Sequence, residues 1–181
     1  ISTYQSVSGS GHKGLNQLAA EQRGEVSDNP AYPHQIHENV IPHGGSFSDT
    51  GYTAEEEKLM FETNKILHSD IAVTATVVRV PVYGGHSESV NVEFEQQFDI
   101  DEVRSILSNA SGVTLYDNPS ENIYPTPVMA YDKDDVFVGR IRRDFSIEKG
   151  LNFWVVSDNI RKGAATNAVQ IAKYIIENFG I

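Results

Sequence analysis

The 181-residue chain has no cysteine. Disulfides, zinc–thiolate sites and a cysteine nucleophile supplied by these residues are thereby excluded. The lack of any disulfide agrees with a cytoplasmic location. Long hydrophobic runs are missing too: no apolar stretch approaches the roughly 20 residues of a membrane span, so a transmembrane reading fails. Positive charge is scarce, with 14 Lys and Arg against 25 Asp and Glu and a formal net charge of −11. That balance argues against a nucleic-acid partner. Any anion site must be a local cluster of cations in an acidic protein. The opening ISTYQSVSGSGHKG has neither the basic start nor the apolar core of a signal peptide. It begins in what reads as a strand at Ile1, and the expectation is a fragment or excised domain.

What is present is ordinary for a globular protein, with 39% hydrophobic and 22% charged residues. The length suits one large domain or two small ones. The stretch VRVPVYGGH, 78–86, carries the clearest chemistry. An apolar strand over Ile71–Val82 places Arg79 on the parity of Ile71, Val73, Ala75 and Val77, and a proline with two glycines then presents His86. A planar guanidinium suits a carboxylate, and imidazole suits proton transfer near neutral pH. The pair reads as one wall of a site for an anionic substrate, without a nucleophile.

Around it, residues 1–9 favour a strand. Gly9, Gly11 and Gly14 lead into a helix over Leu15–Gln22, either a plain connection or a turn that cradles a phosphate or cofactor. Residues 24–51 are loop-rich and hold His34, His37 and His43, which are solvated histidines or, less simply, metal ligands. Thr53 and Glu56 form a capping box for a helix reaching about His68, with Glu55 and Lys58 sharing a face. Ser89–Phe94 alternates as a strand, and it is expected to pair with Ile71–Val82 in an antiparallel sheet with one covered face. A helix over Asp101–Asn109, strands at Val113–Tyr116, Val136–Arg143 and Leu151–Ser157, and a last helix from Asn159 to about Asn178 complete an α+β pattern with a mostly antiparallel sheet.

These pieces together resemble the C-terminal catalytic and dimerisation domain of aspartate-semialdehyde dehydrogenases. The carriers are TYQSVSGSG (3–11), NVIPHGGSF (39–47), TAEEEKLMFETNKIL (53–67), RVPVYGGHSESV (79–90), VGRIRRD (138–144) and LNFWVVSDNIRKGAATNAVQIA (151–172). The resemblance covers essentially the whole chain. It implies a fold like the C-terminal domain of glyceraldehyde-3-phosphate dehydrogenase, with residues 1–181 as the substrate-binding and dimerisation domain. Within it, 159–181 would form a helix that returns to a nucleotide-binding domain.

The family reduces β-aspartyl phosphate with NADP as cofactor, through a cysteine thioester, on the way to lysine, diaminopimelate, threonine and methionine. By resemblance His86 is the acid/base, Arg79 clamps the substrate α-carboxylate and Glu55 partners its α-ammonium. Lys58 is a phosphate ligand, Gln5 orients the reacting carbonyl, and Ser8, Gly9 and Gln170 touch the cofactor. The implied partners are the small-molecule substrate and a second copy of the chain, with neither membrane nor nucleic acid. The family's nucleophile and its Rossmann half precede the TYQ motif and are not among these residues; SGSGHKG is no G-x-G-x-x-G. The chain alone is therefore expected to be inactive. The alternatives are a non-catalytic dimerisation module, an N-acetyl-glutamyl-phosphate reductase-type enzyme with no need of Glu55, and a metal-dependent hydrolase on the three loop histidines.

Overall fold

The structure, a computed structural model, describes residues 1–180. The chain divides into two compact units, Ile1–Tyr83 and Gly84–Ile181.

In the first unit, strand β1 (Ser2–Gln5) pairs in parallel with β2 (Thr76–Arg79). Helix α1 (Gly11–Gln22) follows a 3-10 turn over Val7–Ser10, and α2 (Ala54–Leu67) precedes β2. Val7, Leu18, Tyr32, Ile36 and Ile41 form the core between α1 and the long loop. The loop lacks regular elements, as its Gly and Pro content predicts, yet four of its backbone N–H groups are met by side chains of α1. The side-chain oxygen of Gln17 accepts from Ala31 and Tyr32 N–H at 2.8 and 2.9 Å. One turn on, Glu21 accepts from Ile36 and His37 N–H, both at 2.8 Å. Two side chains of α1 thus replace a ladder for the loop, which satisfies the rule that buried backbone groups find partners.

In the second unit the strand order is β3 (His86–Glu93), β6 (Gly150–Ser157), β5 (Val136–Asp144), β4 (Val113–Leu115). The β3–β6 and β6–β5 pairings are antiparallel and β5–β4 is parallel. Helix α3 (Ile100–Asn109) is capped by Asp99, whose carboxylate accepts from Asp101 and Glu102 N–H. Its Val103 and Leu107 pack on Val138, Ile141 and Leu151. The short helix α4 (Pro127–Ala130) joins Phe137 and Val156 on the opposite parity of the strands. Both faces therefore carry apolar side chains.

Several expectations need correction. The arrangement is α+β, but with two of its pairings parallel it is mixed rather than mostly antiparallel. Strand 71–82 shortens to Thr76–Arg79, because Asn64 captures Ile71 from both sides, donating to its carbonyl and accepting from its N–H at 2.8 and 2.6 Å. It pairs with β1, and β3 pairs with β6, so the expected antiparallel pairing of these two strands is not made. The last helix starts late: Asp158 accepts from Ile160 and Arg161 N–H, a wide π turn covers Arg161–Ala165, and α5 runs Thr166–Phe179. Val169, Ile171, Tyr174, Ile176 and Phe179 of α5 are exposed. No helix among the described residues is long and apolar enough to cross a membrane.

Strand β5 is bulged between Gly139 and Arg142. Arg140 sits at φ 57°, and the displaced N–H of Arg140 donates to Asp117 Oδ1 at 2.7 Å. Asp117 is itself ion-paired to Arg104 at 2.6 Å. The bulge fits because Gly139 has no side chain: a Cβ there would lie 2.4 Å from the Tyr116 carbonyl oxygen. Gly139→Ala is expected to lower stability by about 1–3 kcal/mol through overpacking against backbone. A urea midpoint equal to that of the parent chain would show that the bulge yields freely.

Candidate active site

Four of the residues singled out in the sequence lie in the first unit around β2. The parallel register makes Gln5 the neighbour of Arg79, and neighbours in register project to the same face of a sheet. Gln5 is buried. The backbone of Arg79 is fixed by a reciprocal bridge to Ile41, with its N–H donating at 2.8 Å and its carbonyl accepting at 3.0 Å. On the other edge Val80 N–H donates to the Gln5 carbonyl at 3.0 Å. The guanidinium is held less completely. Its Nη1 is buried with no hydrogen-bond partner among the described residues, a state that costs free energy unless a ligand meets it.

Glu55 lies in the first turn of α2 and Lys58 just after it. The capping box predicted there is formed, with Thr53 Oγ1 accepting from Glu56 N–H and the Glu56 carboxylate accepting from Thr53 N–H. The loop before it closes down on the helix start: Ala54 N–H donates to Ser46 O at 2.9 Å and Glu55 N–H to Gly44 O at 3.2 Å. Gly44 is wedged between strand and helix. A Cβ on it would lie 2.6 Å from Val77 Cγ1 and 3.2 Å from Glu55 Cβ. Glu55 and Lys58 approach to 3.9 Å with 37% and 55% of their side chains exposed. A pair this open is weak, and either partner can turn to a ligand at little cost.

Glu56 behaves differently. It is 8% exposed, and its second oxygen accepts from Val77 N–H at 2.9 Å. Burial pushes its carboxyl up, but the hydrogen bonds from the Thr53 and Val77 backbones outweigh that and hold it below the ordinary glutamate value. Ser8 lies buried in the 3-10 turn after β1, while Gly9 is exposed.

The remaining two residues belong to the second unit. His86 opens β3, in register with Ser157 of β6. The glycine before it is required by packing. Gly85 has φ 86°, a Cβ on it would meet the Pro127 carbonyl oxygen at 2.9 Å, and its N–H donates to Asn159 Oδ1 at 3.2 Å. Gln170 is exposed on α5, where its amide oxygen accepts from Lys162 Nζ at 2.7 Å. A cavity of about 340 Å³ in this unit, lined by Tyr124, Thr126, Arg140, Arg142 and Trp154 among others, includes none of the predicted residues. The loop histidines do not assemble, and no metal-binding group of three is found among the described residues. His43 instead stacks on Phe47 at 4.6 Å between ring centres.

The model of the semialdehyde dehydrogenase dimerisation domain matches residues 1–162. The chain belongs to that family. Aspartate-semialdehyde dehydrogenases of Aquifex aeolicus and Legionella pneumophila are each 50% identical to it. They align with 98% and 99% of the chain, and with 54% and 53% of their own lengths. The chain thus spans about half the length of the curated relatives it matches. The solved aspartate semialdehyde dehydrogenase II of Vibrio cholerae, complexed with ASA, superimposes with a TM-score of 0.91 at 43% identity, covering 98% of this chain and 54% of that one.

Within this semialdehyde dehydrogenase domain, the sequence reading missed the link from Glu56 to Val77, which joins residues 21 positions apart. It also missed the support that Asn159 gives to the turn before His86. If the Arg79 guanidinium is kept for a ligand, Arg79→Met should leave stability unchanged or raise it by up to about 1–3 kcal/mol, the cost of an unmet buried donor. A lower urea midpoint would reveal a structural partner for this side chain.

Proposed function

We propose that the chain is the substrate-binding and dimerisation half of an aspartate-semialdehyde dehydrogenase. The complete enzyme would use NADP in the reductive dephosphorylation of β-aspartyl phosphate and act as a homodimer. The observation that carries this reading is the buried, unpartnered Nη1 of Arg79 beside Gln5. The ASA complex of the Vibrio cholerae enzyme, 43% identical, supports the substrate class.

The substrate offers a carboxylate, an ammonium, an acyl carbon and a phosphate. Arg79 meets the α-carboxylate, and the fork of its guanidinium fixes orientation as well as charge. Glu55 pairs with the α-ammonium, and Lys58, released from Glu55, faces the phosphate. The amide of Gln5 orients the carbonyl under attack. His86 takes the proton of the attacking thiol and returns one to the product. That thiol is not supplied by this cysteine-free chain, so covalent catalysis draws its nucleophile from elsewhere in the complete enzyme.

The residues present fit one end of NADP. Gly9 is exposed and nothing lies within 4 Å of a Cβ placed on Gly11, which leaves room for a flat ring against the turn after β1. Gln170 offers an exposed amide. When bound in its reduced form, NADPH, the cofactor supplies the hydride.

Glu55→Gln in the complete enzyme is the test. Losing a charge-assisted hydrogen bond of about 1.5–3 kcal/mol should lower kcat/KM for aspartate semialdehyde by roughly 10- to 150-fold. An unchanged value would remove Glu55 from the site and favour a substrate whose amine is acylated.

A further inference from the structure

We propose that Glu56 is a positioning residue that sets the spacing between the first turn of α2 and Arg79. The inference rests on the reading of Glu55, Lys58 and Arg79 as substrate ligands. Glu55 and Lys58 stand on the helix and Arg79 on the strand, so recognition of carboxylate and ammonium together depends on how the two elements are registered.

An ordinary capping box at a helix start needs one oxygen of the N3 carboxylate, and the other can face water. Here neither does. Oε2 of Glu56 accepts from Thr53 N–H at 2.7 Å, and Oε1 accepts from Val77 N–H at 2.9 Å. Val77 precedes Arg79 by two residues on the same strand. The even residues of β2 and its extension donate toward β1, Thr76 to Ile1 and Val80 to Gln5. The odd ones therefore turn their N–H groups to the opposite edge. Arg79 finds Ile41 there, and Val77 finds only the carboxylate of Glu56.

One planar group thus stands in for a missing strand and caps the helix with the same charge. Its geometry leaves no slack, because both oxygens are used and the side chain is buried. Gly44 closes the remaining space between helix and strand. The lowered carboxyl pKa, caused by those backbone hydrogen bonds against the opposing effect of burial, agrees with a charge held in place. Glu55 and Lys58 on the helix and Arg79 on the strand carry out the recognition, and Glu56 decides where they stand.

The test is a double-mutant cycle of Glu55→Gln and Glu56→Gln in the complete enzyme. It measures kcat/KM for aspartate semialdehyde with phosphate and NADP, at a temperature where circular dichroism shows each protein folded. Since a misplacement of about 1 Å can cost about 100-fold, Glu56→Gln is expected to lower kcat/KM at least about tenfold. Contacting residues couple, so the effect of Glu55→Gln should shrink at least about fivefold once Glu56 is gone.

A Glu56→Gln enzyme with unchanged kcat/KM, or two effects that simply multiply, overturns the positioning role while the reading of Glu55 stands. If Glu55→Gln alone has no effect, the reading beneath the proposal fails, and the proposal with it. Should Glu56→Gln not fold, Glu56→Asp, which keeps the charge but is too short to span both donors, replaces it in the same cycle with the same outcomes.

Discussion

Strand β2 is only four residues long, and the candidate site depends on satisfying both of its edges. A strand with one neighbour leaves half its donors facing outward, and burying them unpaired would be costly. β1 takes one edge by parallel pairing. On the other, Ile41 takes Arg79 and the carboxylate of Glu56 takes Val77. The loop that supplies Ile41 is itself tied to α1 by Gln17 and Glu21. These hydrogen bonds join β1, the long loop and helix α2 to a single strand, and they leave the side chain of its last residue, Arg79, with one nitrogen unmet.

The electrostatics follow from the same arrangement. In a chain of net charge −11, an anion is held only where cations are gathered and local. Arg79 stands on β2 and Lys58 on α2, and the bond from Val77 N–H to the Glu56 carboxylate ties the start of that helix to that strand. The weak pair of Lys58 with Glu55 differs in kind from the buried fork of Glu56. The first is an exposed contact that a ligand can displace, and the second is a structural joint. Two successive glutamates in one helical turn, Glu55 and Glu56, thus differ in burial and in what they bond.

Some of this was legible in the sequence. The Thr53–Glu56 box was, because capping is written in residues three apart. So was α3, whose apolar positions keep a helical period, and the loop between α1 and α2, punctuated by glycine and proline. The partner of β2 was not. Parallel pairing joins segments more than 70 residues apart, and no local signal records it. The glycine pair before His86 reads as a turn that presents the histidine, and what requires Gly85 there is Pro127 and Asn159, both distant in sequence. Strand content over 71–75 was overestimated because alternation cannot show that Asn64 binds the backbone of Ile71. Within the candidate site, Arg79 and His86 stood out from strand, turn and side-chain chemistry, and the roles of Gln5, Glu55, Lys58, Ser8, Gly9 and Gln170 came from family likeness. Their spacing came only from the structure.

The chemistry proposed for this chain needs a thiol that its cysteine-free sequence does not supply. The most direct measurement is turnover by the isolated chain, checked for folding by circular dichroism, with aspartate semialdehyde, phosphate and NADP. The account predicts no NADPH formation by the isolated chain under conditions where the complete enzyme is active. Turnover by residues 1–181 alone would contradict it.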